Sequence, residues 1–102
     1  MLNQSITIPY DEIADFCQRH HIRKLSLFGS VLRDDFRPDS DIDVLVEFEP
    51  GHVPGLLRMA GLEIELANIL HHVVDLRTPA ELSRYFRQAV IDSAEPVYDS
   101  IG

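Results

Sequence analysis

The sequence predicts a small α/β fold, and three observations predict it. Apolar residues recur at helical spacing in three long segments, and they alternate or cluster at strand spacing in three others. The two kinds of segment take turns along the chain, which favours a sheet with helices packed on it. The 102 residues suit a single domain spanning 1–102, with no repeat, low-complexity tract or linker to divide it. A composition that is 45% hydrophobic and 25% charged is that of an ordinary globular protein.

Residues 9 to about 20 read as the first helix. Tyr10, Ile13, Phe16 and Cys17 fall on one stripe, Asp11 and Glu12 fill the first turn, and Arg19 and His20 fill the last. Residues 23–28 read as a strand through Leu25, Leu27 and Phe28, ended by Gly29. Ser30 to about Asp34 has room for one or two helical turns ahead of the loop FRPDS. Residues 41–48 give the clearest strand: Ile42, Val44, Val46 and Phe48 alternate onto one face, and Asp41, Asp43, Leu45 and Glu47 share the other.

Pro50, Gly51, Pro54 and Gly55 then break the chain. Residues 56–70 form a long helix with Met59, Leu62, Leu66 and Ile69 or Leu70 facing inward. Residues 73–76 make a short buried strand. Thr78, Pro79 and Glu81 spell a helix start, and Leu82, Tyr85, Phe86, Ala89 and Val90 continue at helical spacing, so Tyr85 and Phe86 are expected in the core.

The chemistry concentrates between residues 29 and 75. Gly29-Ser30 after a strand resembles a phosphate-binding turn, where glycine permits close approach and helix N–H groups face an anion, although such a glycine also simply makes turns. Asp41 and Asp43 lie one residue apart on a strand and so share a face. Asp43 sits among Ile42, Val44 and Val46, where an unpaired carboxylate costs several kcal/mol, so a partner or a metal is expected. Asp75, in VVDL, poses the same problem on a separate strand. If the two strands are neighbours, three carboxylates converge on one or two Mg²⁺ ions, the arrangement of metal-assisted nucleotidyl transfer; Asp75 could instead bond to a loop.

Nine basic against seventeen acidic residues give a net charge of −8, which argues against a general nucleic-acid binder. The single Cys17 excludes an internal disulfide framework and reads as a small buried hydrophobe. The N-terminus has no signal-peptide pattern and no apolar run approaches a membrane span, so a cytoplasmic protein is expected.

Gly29-Ser30, ten intervening residues and Asp41-Ile42-Asp43, with Ser40 before the first Asp and Arg33 three residues after Ser30, resemble the GS-x10-DxD pattern of polymerase-beta-like nucleotidyltransferases. Asp75 falls where that family has its third carboxylate. The resemblance covers nearly the whole chain and implies a short mixed sheet packed with about four helices. The length, with no room for a nucleic-acid-binding or large substrate domain, is similar to that of the minimal (MNT) group. The resemblance implies an antitoxin of a type VII toxin–antitoxin system that transfers AMP from ATP to a tyrosine of a cognate HEPN ribonuclease toxin. It implies Gly29 and Ser30 around the triphosphate, Arg33 and Ser40 beside the nucleotide, Asp41 and Asp43 on Mg²⁺, and Asp75 as a metal ligand that helps activate the acceptor. Occlusion of a toxin without catalysis, or transfer to a small molecule, are the alternatives.

Other residues read as structural. His20-His21 and His71-His72 lack a third ligand at zinc spacing. Arg33 either meets a phosphate or pairs with Asp34 or Asp35. Glu47 and Glu49 read as a solvated strand end.

Overall fold

Strand β1 (Ile22–Phe28) and strand β2 (Ile42–Phe48) form the antiparallel centre of the fold, with Leu27 opposite Val44 and Leu25 opposite Val46. In the computed structural model, which describes residues 6–33, 36–37 and 39–100, helix α1 (Tyr10–Arg19) precedes β1. Helix α2 (Leu56–Leu70) follows β2 and leads to β3 (Val74–Arg77), which lies parallel to β2. Helix α3 (Arg87–Ser93) then delivers the chain to β4 (Glu95–Asp99), antiparallel to β1. The sheet is therefore mixed, in the order β3-β2-β1-β4. Three α-helices and two 3-10 turns, Gly29–Leu32 and Pro79–Glu81, accompany it among the described residues.

One face of the sheet carries the core. Ile42, Val44 and Val46 of β2, Leu25 and Leu27 of β1, and Val74 and Leu76 of β3 pack with Ile13, Phe16 and Cys17 of α1 and Leu62, Leu66 and Leu70 of α2. The stripes read from the sequence for α1 and α2 are the ones buried, with Met59 and Ile69 at the margin. Tyr10 is the exception, exposed at the helix start. Cys17 is fully buried, and burial pushes its thiol up to about 12, which leaves it inert as a nucleophile. No described helix is long and apolar enough to cross a membrane.

The C-terminal expectation needs correction. The helix expected beyond Pro79 is broken: a 3-10 turn ends at Glu81, whose carboxylate accepts hydrogen bonds from the Thr78 N–H and hydroxyl at 2.9 and 3.1 Å. Arg87 Nη2 then donates to the Leu82 carbonyl at 2.9 Å and the Ala80 carbonyl at 3.4 Å, acceptors that a continuous helix would give to backbone N–H groups. In consequence Tyr85 and Phe86 are not core residues; they are 82% and 58% exposed. Strand β4 is an element for which the sequence reading made no assignment. It carries Pro96, which cannot donate to a ladder but is tolerated because β4 lies at the sheet's edge. Val97 and Tyr98 pack against the core margin.

Candidate active site

The opposite face of β2 carries the acidic residues. Alternation sends Asp43 away from the core that Ile42 and Val44 fill, and parallel pairing sets Asp43 directly beside Asp75. The condition placed on Asp75 by the sequence, that the two strands be neighbours, is met. Asp41 stands exposed one residue before β2, on the Asp43 side of the alternation. Its neighbour Ile42 donates its N–H to the Val73 carbonyl at 2.8 Å, which fixes the entry of β2 against β3.

Gly29 closes this site from β1. Phe28 pairs with Asp43, so the turn that follows β1 begins beside the Asp43 side chain. Gly29 has φ +74, and a Cβ built on it would overlap Asp43 Oδ2 and lie 3.2 Å from Asp43 Cγ. Both the conformation and the contact demand glycine. Fully buried Val31 anchors the turn, and Arg33 N–H closes it on the Ser30 carbonyl at 2.9 Å. The helical run expected from Ser30 is thus a single 3-10 turn; Asp34 and Asp35, and any pairing of Arg33 with them, lie outside the described residues.

The electrostatics of the cluster follow from burial and crowding. Burial raises the proton affinity of the half-buried Asp43 carboxyl above its ordinary value; the charges of Asp75 and Asp41 push the same way, against the pull of Arg33 and Arg77. Arg77, which the sequence reading passed over, holds Asp75 through Nε–Oδ1 at 3.1 Å and Nη2–Oδ2 at 3.3 Å. The i, i+2 spacing that puts both side chains on one face was the available signal. The three aspartates share a face and a field, but their oxygens do not gather as closely as a ligand set. Among the described residues the one His, Cys, Asp and Glu group with ligand atoms all within 4.8 Å of one another is His21, Glu49 and His52, elsewhere.

Two further residues support the site. Ser40, expected beside the nucleotide, uses its hydroxyl to accept the Arg37 N–H at 3.1 Å and so shapes the loop ahead of Asp41. Glu63 of α2 accepts the Leu76 N–H at 2.8 Å, covering the outer edge of the strand that carries Asp75. Glu47 is not simply solvated: it is partly buried in an ion pair with Arg23.

A glycine-lined turn beside crowded aspartates on adjacent strands is the setting in which family membership can be decided, and residues 11–97 match the Nucleotidyltransferase domain family. The chain belongs to that family. A protein adenylyltransferase, MntA, of Thermococcus cleftensis is 35% identical over 74 residues, covering 72% of this chain and 73% of its own. A solved minimal nucleotidyltransferase has the same fold at a TM-score of 0.70 and 36% identity, covering 85% of this chain and 87% of its own. This nucleotidyltransferase is thus of the minimal type within the polymerase-beta-like superfamily. An MNT antitoxin complexed with the tri-AMPylated HEPN toxin of Shewanella oneidensis shares the fold at a TM-score of 0.59 and 22% identity, covering 88% of this chain and 69% of its own.

Proposed function

We propose that this nucleotidyltransferase transfers AMP from ATP to a tyrosine hydroxyl of a cognate HEPN toxin and thereby silences it. The observation that carries the reading is the register of Asp43 beside Asp75, with Gly29 closed on Asp43. The kinship with a protein adenylyltransferase, and a fold shared with the antitoxin of an AMPylated HEPN toxin, support the choice of adenylyl transfer and of a HEPN partner.

Mg²⁺ fits the residues present. Carboxylate oxygens are the hard ligands it takes, and burial first, then the charges of Asp75 and Asp41, disfavour the bare Asp43 carboxylate, a cost that a bound cation would relieve. Asp41, Asp43 and Asp75 would hold it. Bound there, it supplies neutralisation of the phosphate charge and Lewis acidity at the reacting centre.

The remaining work falls to the chain itself. Gly29 lets the backbone approach the triphosphate, and the Ser30 N–H and hydroxyl donate to a β- or γ-phosphate oxygen. Arg33 adds a cation on the same side, and Ser40 holds the loop from which Asp41 projects. Asp75, oriented by Arg77, accepts the proton of the incoming phenol. The phenol oxygen then bonds to the α-phosphorus, the bond from that phosphorus to the bridging oxygen breaks, and pyrophosphate leaves with the electron pair.

Intact-mass spectrometry of the cognate toxin after incubation with this protein, ATP and Mg²⁺ tests the proposal. The expected product gains about 329 Da per transferred adenylyl group, AMP less water. A toxin that is inhibited yet unmodified would establish occlusion instead.

A further inference from the structure

The far end of the central strands holds a second cluster, unrelated to the aspartates. Ile22 pairs with Phe48 at that end of the β1–β2 ladder and Phe28 with Asp43 at the other, so the ends lie on the order of 20 Å apart. His21 immediately precedes β1, Glu49 immediately follows β2, and His52 lies in the turn beyond. Backbone bonds fix the three: Glu49 N–H donates to the His21 carbonyl at 2.8 Å, and His52 N–H to the Glu49 carbonyl at 3.0 Å. His21 adopts φ +56, the left-handed conformation, as the chain turns out of α1 into β1. Its ring stacks on that of His52 with centroids 3.9 Å apart, and its Nδ1 lies 3.9 Å from Glu49 Oε1.

We infer that His21, Glu49 and His52 form a binding site for a divalent transition-metal ion of the zinc class. One ligand atom from each already lies within 4.8 Å of the others. Tetrahedral bonds of about 2.0–2.1 Å require about 3.4 Å between ligand atoms, so closure needs roughly 1 Å of movement. Both imidazoles are exposed, and rotation of their side chains supplies that movement without disturbing the backbone. The stack keeps the rings together until they turn toward a common ion.

Donor chemistry selects the ion. Two imidazoles and one carboxylate suit Zn²⁺, Co²⁺ or Ni²⁺, whereas Mg²⁺ prefers oxygen ligands alone. Arg58 lines the same recess of about 300 Å³ and opposes any cation held by charge alone. Affinity must then come from ligand bonds, which again favours a transition ion. Three protein ligands leave a fourth position open. Occupancy would tie the turn that leads into α2 to the start of β1.

The test is calorimetric titration of the metal-stripped full chain with Zn²⁺, with Mg²⁺ in excess to fill oxygen-only sites, and Co²⁺ absorption as a spectroscopic check. About one equivalent should bind, with visible Co²⁺ bands of a low-coordinate site. His52→Ala, Glu49→Gln and His21→Asn, the last chosen because Asn tolerates the left-handed backbone, should each weaken binding more than tenfold, since losing even an outer partner of a ligand costs about 10–100-fold. The double variant Asp41→Asn/Asp43→Asn should bind Zn²⁺ as wild type does. Unchanged affinity in both His52→Ala and Glu49→Gln, loss of binding in the aspartate variant, or binding too weak to saturate would each overturn the inference. Circular dichroism of the variants separates lost ligation from lost folding.

Discussion

Gly29 and Asp43 touch, and that contact makes each of them testable. Gly29→Val places a β-branched side chain in a left-handed backbone and against the Asp43 carboxylate. The backbone strain alone should cost about 1–3 kcal/mol in denaturant unfolding. ATP binding by calorimetry should vanish in this variant but fall by less than about tenfold in Ser30→Ala, which loses one hydrogen bond. Wild-type affinity in Gly29→Val would remove the backbone at 29 from phosphate binding.

Asp43 makes an opposite prediction for stability. Its carboxyl binds a proton more tightly in the folded chain than in the unfolded one. The stability it contributes is therefore complete below the ordinary carboxylate range and is lost as pH rises through the raised folded value. At pH 7 without divalent cation, Asp43→Asn should be the more stable protein, by about 1 kcal/mol. That advantage should shrink on acidification. A melting temperature at or below wild type at pH 7 would show that burying and crowding the Asp43 charge costs the fold nothing.

At the scale of elements, β3 is short, lies at a sheet edge and still has to hold Asp75 in register with Asp43. Glu63 bonded to the Leu76 N–H is the contact from α2 that steadies it. Glu63→Ala should lower stability by about 1 kcal/mol and should reduce nucleotidyl transfer more than ATP affinity, because the residues proposed to hold the nucleotide lie in the turn after β1 and at the start of β2. An equal fall in both would make Glu63 a general stabiliser and nothing more.

The elements legible in the sequence are those whose burial follows a period. α1, α2, β1 and β2 each bury one stripe or one alternating set, and their bounds came out within a residue or so. The C-terminal fifth of the chain was harder to read. β4 hides behind Pro96 and the charged residues Glu95 and Asp99, which suit an edge strand but leave no apolar alternation to mark one in the sequence. Tyr85 and Phe86 keep helical spacing, yet Arg87 takes the carbonyls that a helix there would need. Such a side-chain bond leaves no trace in apolar periodicity.

Across the whole molecule, one face of a mixed sheet supplies the core and the other presents the aspartates. The DxD spacing disclosed the shared face of Asp41 and Asp43, and the buried setting of Asp75 disclosed that it needed a partner. The i, i+2 spacing offered Arg77 as that partner, whereas nothing in the sequence showed that Ser40 is engaged by its own loop, because that bond depends on side-chain orientation within a local turn. Likewise His21 and His52 are distant in sequence and adjacent only through the β1–β2 pairing and the turn that follows it.

The central claim is that the paired aspartates transfer a nucleotide rather than merely bind one, and Asp75→Asn tests it most directly. Adenylylation of the cognate toxin and ATP affinity should be measured side by side for this variant and wild type, with Mg²⁺ present. The account predicts that transfer is lost by at least about a hundredfold, the lower range of a general base's contribution, while ATP affinity stays within a few-fold because Gly29, Ser30, Asp41 and Asp43 remain. Transfer at the wild-type rate in Asp75→Asn would contradict it.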